Sequence, residues 1–268
     1  MTDKILVFIP AYRCAPQVVR VIAQFDAQVQ QAVHTVMVVD NQSPDNTLAA
    51  AIGAAEKTFE YCRFVAWRNN DNYGLGGSHK AAMYYALQNG FTHLVVLHGD
   101  DQADIRDLLP LLKQGVHQQV DCLLGARFIR GSQLHGYSWV RTWGNRVYNG
   151  IFSLVAGRCI YDLGSGLNVY RLQAFKDFYY KTFPDDLTFN YVMLLGSYER
   201  RQRVQFFPIS WREEDQVSNV RLFRQAFKVL ALVGGYAVGR ARFLKRELRE
   251  KPFDIYIGEV VKCQERSA

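Results

Sequence analysis

Short apolar runs of strand-forming residues alternate with helical stretches through the first half of this 268-residue chain. Lys4–Ile9 reads as a buried strand and Pro16–Gln31 as a helix. Thr35–Val39 is a second strand, ending in Asp40. The Pro44-Asp45-Asn46-Thr47 turn then caps a helix that runs to about Phe59. Arg63–Trp67 is a third strand, after which Tyr73-Gly74-Leu75-Gly76-Gly77 opens a helix to about Asn89. His93–Leu97 is a fourth, followed by His98-Gly99-Asp100-Asp101-Gln102 and a helix to about Gln118. Asp121–Ala126 is a fifth strand. Runs that are apolar throughout suit strands covered on both faces, so the pattern predicts an α/β fold with a mostly parallel sheet flanked by helices.

In such a sheet, ligands bind outside the carboxyl ends of the strands. The polar residues collect there: Pro10-Ala11-Tyr12 after the first strand, Asp40 after the second, Asn69-Asn70 after the third and Asp100 after the fourth. Several strand ends therefore aim acids, amides and glycines at one rim.

The second half is more helical. Ser138–Gly157 fits an amphipathic helix. Asp162-Leu163-Gly164-Ser165-Gly166 is a tight loop before a short strand, Leu167–Tyr170. Helical stretches follow at about Leu172–Thr182 and Leu187–Arg200, then a strand at Arg203–Trp211. A basic, apolar-faced stretch runs from about Val220 to Arg249, and a terminal strand lies within Phe253–Val261. With no linker or internal repeat, we read a main domain over residues 1–219 and a C-terminal extension over 220–268, packed on that domain or on a membrane surface.

Composition narrows the function. At 49% hydrophobic and 21% charged, the chain is neither disordered nor collagen-like nor a disulfide miniprotein. Cys14, Cys62, Cys122, Cys159 and Cys263 are dispersed, which predicts reduced thiols in a cytosolic protein and no zinc motif. Polar Met1-Thr2-Asp3-Lys4 leads straight into an apolar run, so no signal peptide is expected. The net charge of +7 suits an anionic partner. Val229–Val238 is too short to span a bilayer, yet Lys228, Arg240, Arg242, Lys245, Arg246 and Arg249 surround it, as on a helix lying on an anionic membrane surface. The sequence carries no RNA-recognition, helix-turn-helix or zinc module, so no nucleic-acid partner is expected. A nucleotidyltransferase would carry a Gly-rich signature near its first strand, and Pro10 is followed by none.

Six segments stand in a telling order: Ile9-Pro10-Ala11-Tyr12, Val38 to Thr47, Asn72-Tyr73-Gly74, His98-Gly99-Asp100-Asp101-Gln102, Gly125-Ala126-Arg127 and Asp162 to Gly166. Together they resemble the GT-A glycosyltransferases of family 2, and within them the dolichol- and polyprenyl-phosphate sugar synthases. The resemblance implies a GT-A fold and a metal-dependent, inverting transfer of a sugar from a nucleotide diphosphate sugar. It implies that Pro10, Ala11, Tyr12, Asp40, Asn72, Gly74, Lys80, Gly99 and Asp100 hold the donor. Asp40 would bind base or ribose, and Lys80 would either meet the pyrophosphate or sit on a solvated helix face.

Where such enzymes carry Asp-x-Asp followed by Gln, this chain has His98, Asp100 and Gln102, the expected ligands of Mn²⁺ or Mg²⁺. Arg127, Arg141, Asn145, Ser165 and Arg212 match acceptor-binding positions, arginine forks being suited to phosphate oxygens. The implied acceptor is polyprenyl phosphate, which is its own nucleophile, so that Asp100, Arg127 and Arg141 would carry the chemistry. A saccharide or lipid-linked glycan acceptor would need a base, for which Asp162 is the leading residue. The implied location is the inner face of the membrane, held peripherally. An inactive nucleotide-sugar-binding scaffold is the remaining alternative, on account of His98.

Overall fold

The computed structural model describes residues 3–213 and 222–266, without the side chains of 222–226. Among the described residues there are ten strands: β1 (Ile5–Ala11), β2 (Thr35–Asp40), β3 (Arg63–Asn69), β4 (His93–Leu97), β5 (Cys122–Ala126), β6 (Gln133–His135), β7 (Leu167–Arg171), β8 (Val204–Pro208), β9 (Ser210–Arg212) and β10 (Gly258–Gln264). Eight form one sheet in the order β10-β3-β2-β1-β4-β7-β5-β8, while β6 and β9 pair separately. The neighbours β3-β2-β1-β4 are parallel, and β7 runs antiparallel between β4 and β5.

Side-chain alternation explains why both layers are apolar. Val7 and Ile9 of β1, Val36 and Val38 of β2 and Val95 and Leu97 of β4 face one layer. That layer includes α1 (Ala15–Ala23), through Val18, Val21 and Ile22, and α3 (Thr47–Thr58), through Leu48 and Ala51. Between them lies the short α2 (Ala27–Gln31). Leu6 and Phe8, Met37 and Val39, and Leu94 and Val96 face the other layer. There they meet α4 (Gly74–Gln88). Past α5 (Leu109–Lys113) and α6 (Val116–Gln119), that layer continues with α7 (Trp139–Ala156), α8 (Phe189–Glu199) and α9 (Leu222–Val238).

Several expected elements differ. The helix expected over Pro16–Gln31 breaks at Gln24–Asp26, where the Asp26 carboxylate accepts from the Val29 amide and starts α2. The helix expected up to Gln118 is two short pieces separated by Gly115 in the left-handed region. Leu172–Thr182 holds one 3-10 turn, Leu172–Phe175, and Phe178 in the left-handed region at φ +52° interrupts a helix beyond it. The strand expected over Arg203–Trp211 divides after Pro208, which lacks the N–H to continue the ladder, and β9 turns to β6.

The expected boundary at 219/220 and the start of the basic stretch lie outside the described residues. Beyond them α9 buries Val229, Val233 and Tyr236, α10 (Arg240–Leu244) buries Phe243, and β10 joins the sheet edge antiparallel to β3.

The chain between α10 and β10 is tied to α4 by a buried polar node. Lys80 Nζ donates to Asp185 Oδ1 (2.6 Å) and to the Phe183 carbonyl, and the Tyr256 hydroxyl donates to the same carboxylate at 2.8 Å. Tyr256 and Phe253 pack edge-on against Tyr73, the residue before α4. Burial holds the Lys80 ammonium down at about 8, against the pull of Asp185. A lysine pKa lowered by folding makes the unfolded state the better proton binder between about 8 and its ordinary value near 10.5. Stability therefore rises with pH across that window. Urea unfolding at pH 7.5 and 9.5 should show wild type gaining roughly 1–2 kcal/mol relative to Lys80→Met. An unchanged difference would contradict the assignment.

Candidate active site

The carboxyl ends of β1 and β4 open onto a cavity of about 390 Å³, within the ordinary range for small-molecule sites. Pro10, Ala11 and Tyr12 line it from β1, and His98, Gly99 and Asp100 from the turn after β4. Asn72, Gly74 and Ser78 line it from the start of α4, and Asp186 and Leu187 from the loop before α8. Close backbone approach requires the two glycines. A Cβ on Gly99 would sit 2.9 Å from the Pro10 carbonyl, and one on Gly74, whose φ is +67°, would sit 2.3 Å from the Asp185 carbonyl.

Of the expected donor residues, Asp40 and Lys80 do not line this cavity. The buried Asp40 carboxylate accepts from the Ser43 amide (3.2 Å) and faces Arg68 Nε at 3.4 Å. Its neighbour Asn41 lines the cavity instead, since successive residues at a strand end point to opposite sides. Asn41 donates to Asn72 Oδ1 (2.8 Å), and its own oxygen accepts from Asn69 Nδ2 (3.0 Å) and the Tyr73 amide (2.9 Å). This amide network sets the start of α4. The sequence signals for Asn41 are its place beside the strand-end Asp40 and its standing where the resembling family often has a second Asp. Lys80 lies in the node with Asp185, so the expectation of a solvated helix face is corrected: its side chain is buried.

Of the expected metal ligands, His98 and Asp100 line the cavity and Gln102 does not. The Gln102 amide donates to Asp100 Oδ1 (3.3 Å), and its carbonyl accepts from the Arg212 amide. Asp101 is turned away. In the left-handed region at φ +59°, its buried carboxylate accepts from Arg20 Nε (2.7 Å) and Gln24 Nε2 (2.9 Å) and pairs with Arg212 at 3.1 Å. Arg212 thus anchors the turn after β4 and lines neither this cavity nor the one that holds the other two expected acceptor arginines. Burial pushes the Asp100 carboxyl up to about 6, against the hydrogen bond from the Gln102 amide. Burial, then the Arg127 charge, holds His98 down at about 4. His98 Nε2 is buried without a hydrogen-bond partner.

A second cavity, about 300 Å³, is lined by Arg127, Tyr137, Arg141, Asn145, Tyr148 and Tyr191 among others. Arg127 is held by a two-pronged pair with Asp162, Nε to Oδ2 at 2.7 Å and Nη2 to Oδ1 at 2.8 Å. Asp162 also accepts from the backbone amides of Arg127 and Gly164. Arg141 pairs with Glu213 and lies over the Tyr137 ring. Ser165 is buried, bonded to the Leu167 carbonyl, and lines neither of these two cavities.

Residues 6–178 match the family model of glycosyl transferase family 2, well over half of the chain. The chain belongs to glycosyl transferase family 2. It is a glycosyltransferase of that family. No curated protein matches it. Among solved structures it is similar to glucosyl-3-phosphoglycerate synthase from Mycobacterium tuberculosis in complex with uridine diphosphate. That match has 14% identity over 88% of this chain and 80% of that one, with a TM-score of 0.62. The same enzyme with Mn²⁺, UDP-glucose and phosphoglyceric acid matches at 14% identity, 88% and 80% coverage and TM-score 0.63. With Mn²⁺, UDP and phosphoglyceric acid it matches at 14%, 99% and 88% coverage and 0.62. At this identity the likeness establishes the GT-A fold of the family 2 transferase.

Asp101 provides a test of how the site is held. Asp101→Asn should lower stability by roughly 1–2 kcal/mol in urea unfolding, because the partly exposed Arg20 and Arg212 lose the carboxylate they share. It should also weaken nucleotide binding at least about tenfold by calorimetry, though Asp101 touches no cavity wall. Unaltered affinity would sever the turn's geometry from the site.

Proposed function

We propose that this transferase moves a hexose from a nucleotide diphosphate sugar in the first cavity to a polyprenyl phosphate held at the second. The donor reading rests on the backbone-lined floor at Pro10–Tyr12 and Gly99, where a nucleotide can approach closely. Arg127 supports the adjacency of the two cavities, since its charge acts on both His98 and Asp100.

A divalent ion, Mn²⁺ or Mg²⁺, fits this floor. The Asp100 carboxylate lies at the cavity with its pKa raised by burial, and the buried His98 Nε2 has no partner within the protein. Asp100 would hold the ion with His98, and Mn²⁺ suits an imidazole better than Mg²⁺ does. When bound, the ion supplies Lewis-acid neutralisation of the departing diphosphate. In the related solved structures, Mn²⁺ accompanies UDP-glucose.

The acceptor reading is carried by the two opposite faces of α7. Arg141, Asn145 and Tyr148 face the second cavity at i, i+4 and i+7. On the other side Trp139, Trp143, Val147 and Leu154 form an exposed apolar stripe, with Trp139 74% and Leu154 84% accessible. Such a stripe is unusual on a soluble face, and tryptophans favour membrane interfaces. Exposed Arg146, Arg158, Arg240, Arg242, Lys245 and Arg246 suit an anionic lipid surface. No helix among the described residues is long and apolar enough to cross a membrane, so the proposed attachment is peripheral, at the inner face. A phosphate acceptor is already anionic and needs no base. That agrees with Asp162, whose carboxylate is fully engaged by Arg127 and two backbone amides. The acceptor phosphate would displace Glu213 from Arg141.

A second reading, a small soluble phosphorylated acceptor, is favoured by the phosphoglyceric acid present in the related structures. Product analysis with nucleotide sugars and three acceptors separates the readings: polyprenyl phosphate in anionic vesicles, 3-phosphoglycerate, and a free oligosaccharide. We expect turnover with polyprenyl phosphate, falling at least about tenfold in Arg141→Ala. Turnover of 3-phosphoglycerate alone would replace the lipid reading. In vesicle sedimentation, Trp139→Ser/Trp143→Ser should abolish binding to anionic vesicles while leaving the melting temperature within about 2 °C. Full retention on vesicles would refute the membrane face.

A further inference from the structure

At the amino ends of the central strands, opposite the cavity, three residues far apart in sequence converge. β1 and β4 pair with Ile5 opposite His93, so Asp3 arrives beside the start of β4, and α6 brings His117 against them. One Asp3 carboxylate oxygen and one nitrogen from each of the two rings lie within 4.8 Å of one another. His117 Nε2 is 2.9 Å from Asp3 Oδ2, and His93 Nδ1 is 3.7 Å from Asp3 Oδ1. The two rings meet edge to face with centroids 4.9 Å apart.

Hydrogen bonding within the protein leaves this cluster incomplete. Gln118 Nε2 donates to Asp3 Oδ2 (2.6 Å), and Thr92 Oγ1 lies 2.9 Å from His93 Nδ1. Both imidazoles are buried, at 3% and 4% exposure, yet His93 Nε2 and His117 Nδ1 have no hydrogen-bond partner. A buried polar atom left unpaired costs about 1–3 kcal/mol, and each of the two rings carries one. Two imidazoles and a carboxylate are a donor set for a borderline-soft divalent ion, which takes a ring nitrogen without needing a donor or acceptor in return. Asp3 is the partly open member, and water can complete the shell from its side.

We propose that Asp3, His93 and His117 form a zinc site. It is separate from the donor cavity: His93 and His98 occupy opposite ends of β4, roughly 16 Å apart at strand rise. Its role is structural. The ion clips the N-terminal residues to β4 and α6, closing the amino edge of the sheet. Hard ions of the donor site, Mg²⁺ above all, favour oxygen ligands and would bind here poorly.

Zinc titration of the chelator-treated full chain against a chromophoric competitor tests this, run in Asp100→Ala so that the donor cavity loses the carboxylate proposed to hold its ion. One Zn²⁺ per chain should bind, Co²⁺ should give the absorption of an imidazole-ligated ion, and Zn²⁺ should raise the melting temperature. Asp3→Asn keeps the size and polarity of a partly exposed side chain and is expected to fold. It and His117→Gln should each weaken Zn²⁺ at least about tenfold. Absence of a stoichiometric site, or equal affinity in both variants, would overturn the proposal. Should His117→Gln fail to fold, Asp3→Asn alone decides it.

Discussion

The buried Asp101 carboxylate is the contact on which the site most depends. Three groups from two elements grip it: Arg20 and Gln24 from the end of α1, and Arg212 from β9. Gln24 also donates to the Ala103 carbonyl and accepts from the Ile105 amide, so the whole turn after β4 is bound to α1. A non-glycine residue at positive φ is strained, and these partners hold it there. The consequence is local and chemical. Of two adjacent acids with the same side chain, one is committed to structure and the other, Asp100, is left at the cavity wall. A buried charge with several partners is a means of fixing geometry more than of gaining stability.

The same division of labour recurs at each strand end. Asp40 closes its own turn while Asn41 faces the cavity, and Asp162 fixes Arg127 while Arg127 faces the second cavity. One member of each pair is committed to structure and the other faces a cavity. The Lys80–Asp185–Tyr256 node extends the pattern, since it fastens the loop that carries Asp186 and Leu187 to the cavity.

Much of this was legible in the sequence. The four parallel strands β1 to β4 and the rim they share follow from unbroken apolar runs, because a strand covered on both faces has no polar face to show. The clustering of Pro10, Tyr12, Asn72, Gly74, His98 and Asp100 follows from their strand-end positions. What the sequence hid depends on contacts between distant segments. Gln24 looks like a polar residue within a helix, yet it leaves the helix to clamp residues 101–105. Lys80 has helical neighbours, but Asp185 and Tyr256 lie 105 and 176 residues away. Arg212 matches an acceptor position by order, whereas the split at Pro208 carries it to Asp101. The choice between Asp40 and Asn41 turned on one residue of strand phase, which alternation alone leaves open.

We propose that Asp100, set apart from Asp101, makes donor binding depend on a divalent ion. Calorimetric titration of wild type and Asp100→Ala with UDP-, GDP- and dTDP-sugars, with and without Mn²⁺, tests it directly. One nucleotide sugar is expected to bind wild type only with Mn²⁺, and Asp100→Ala to lose this binding while keeping its fold. Equal binding without metal, or equal binding by Asp100→Ala, would contradict it.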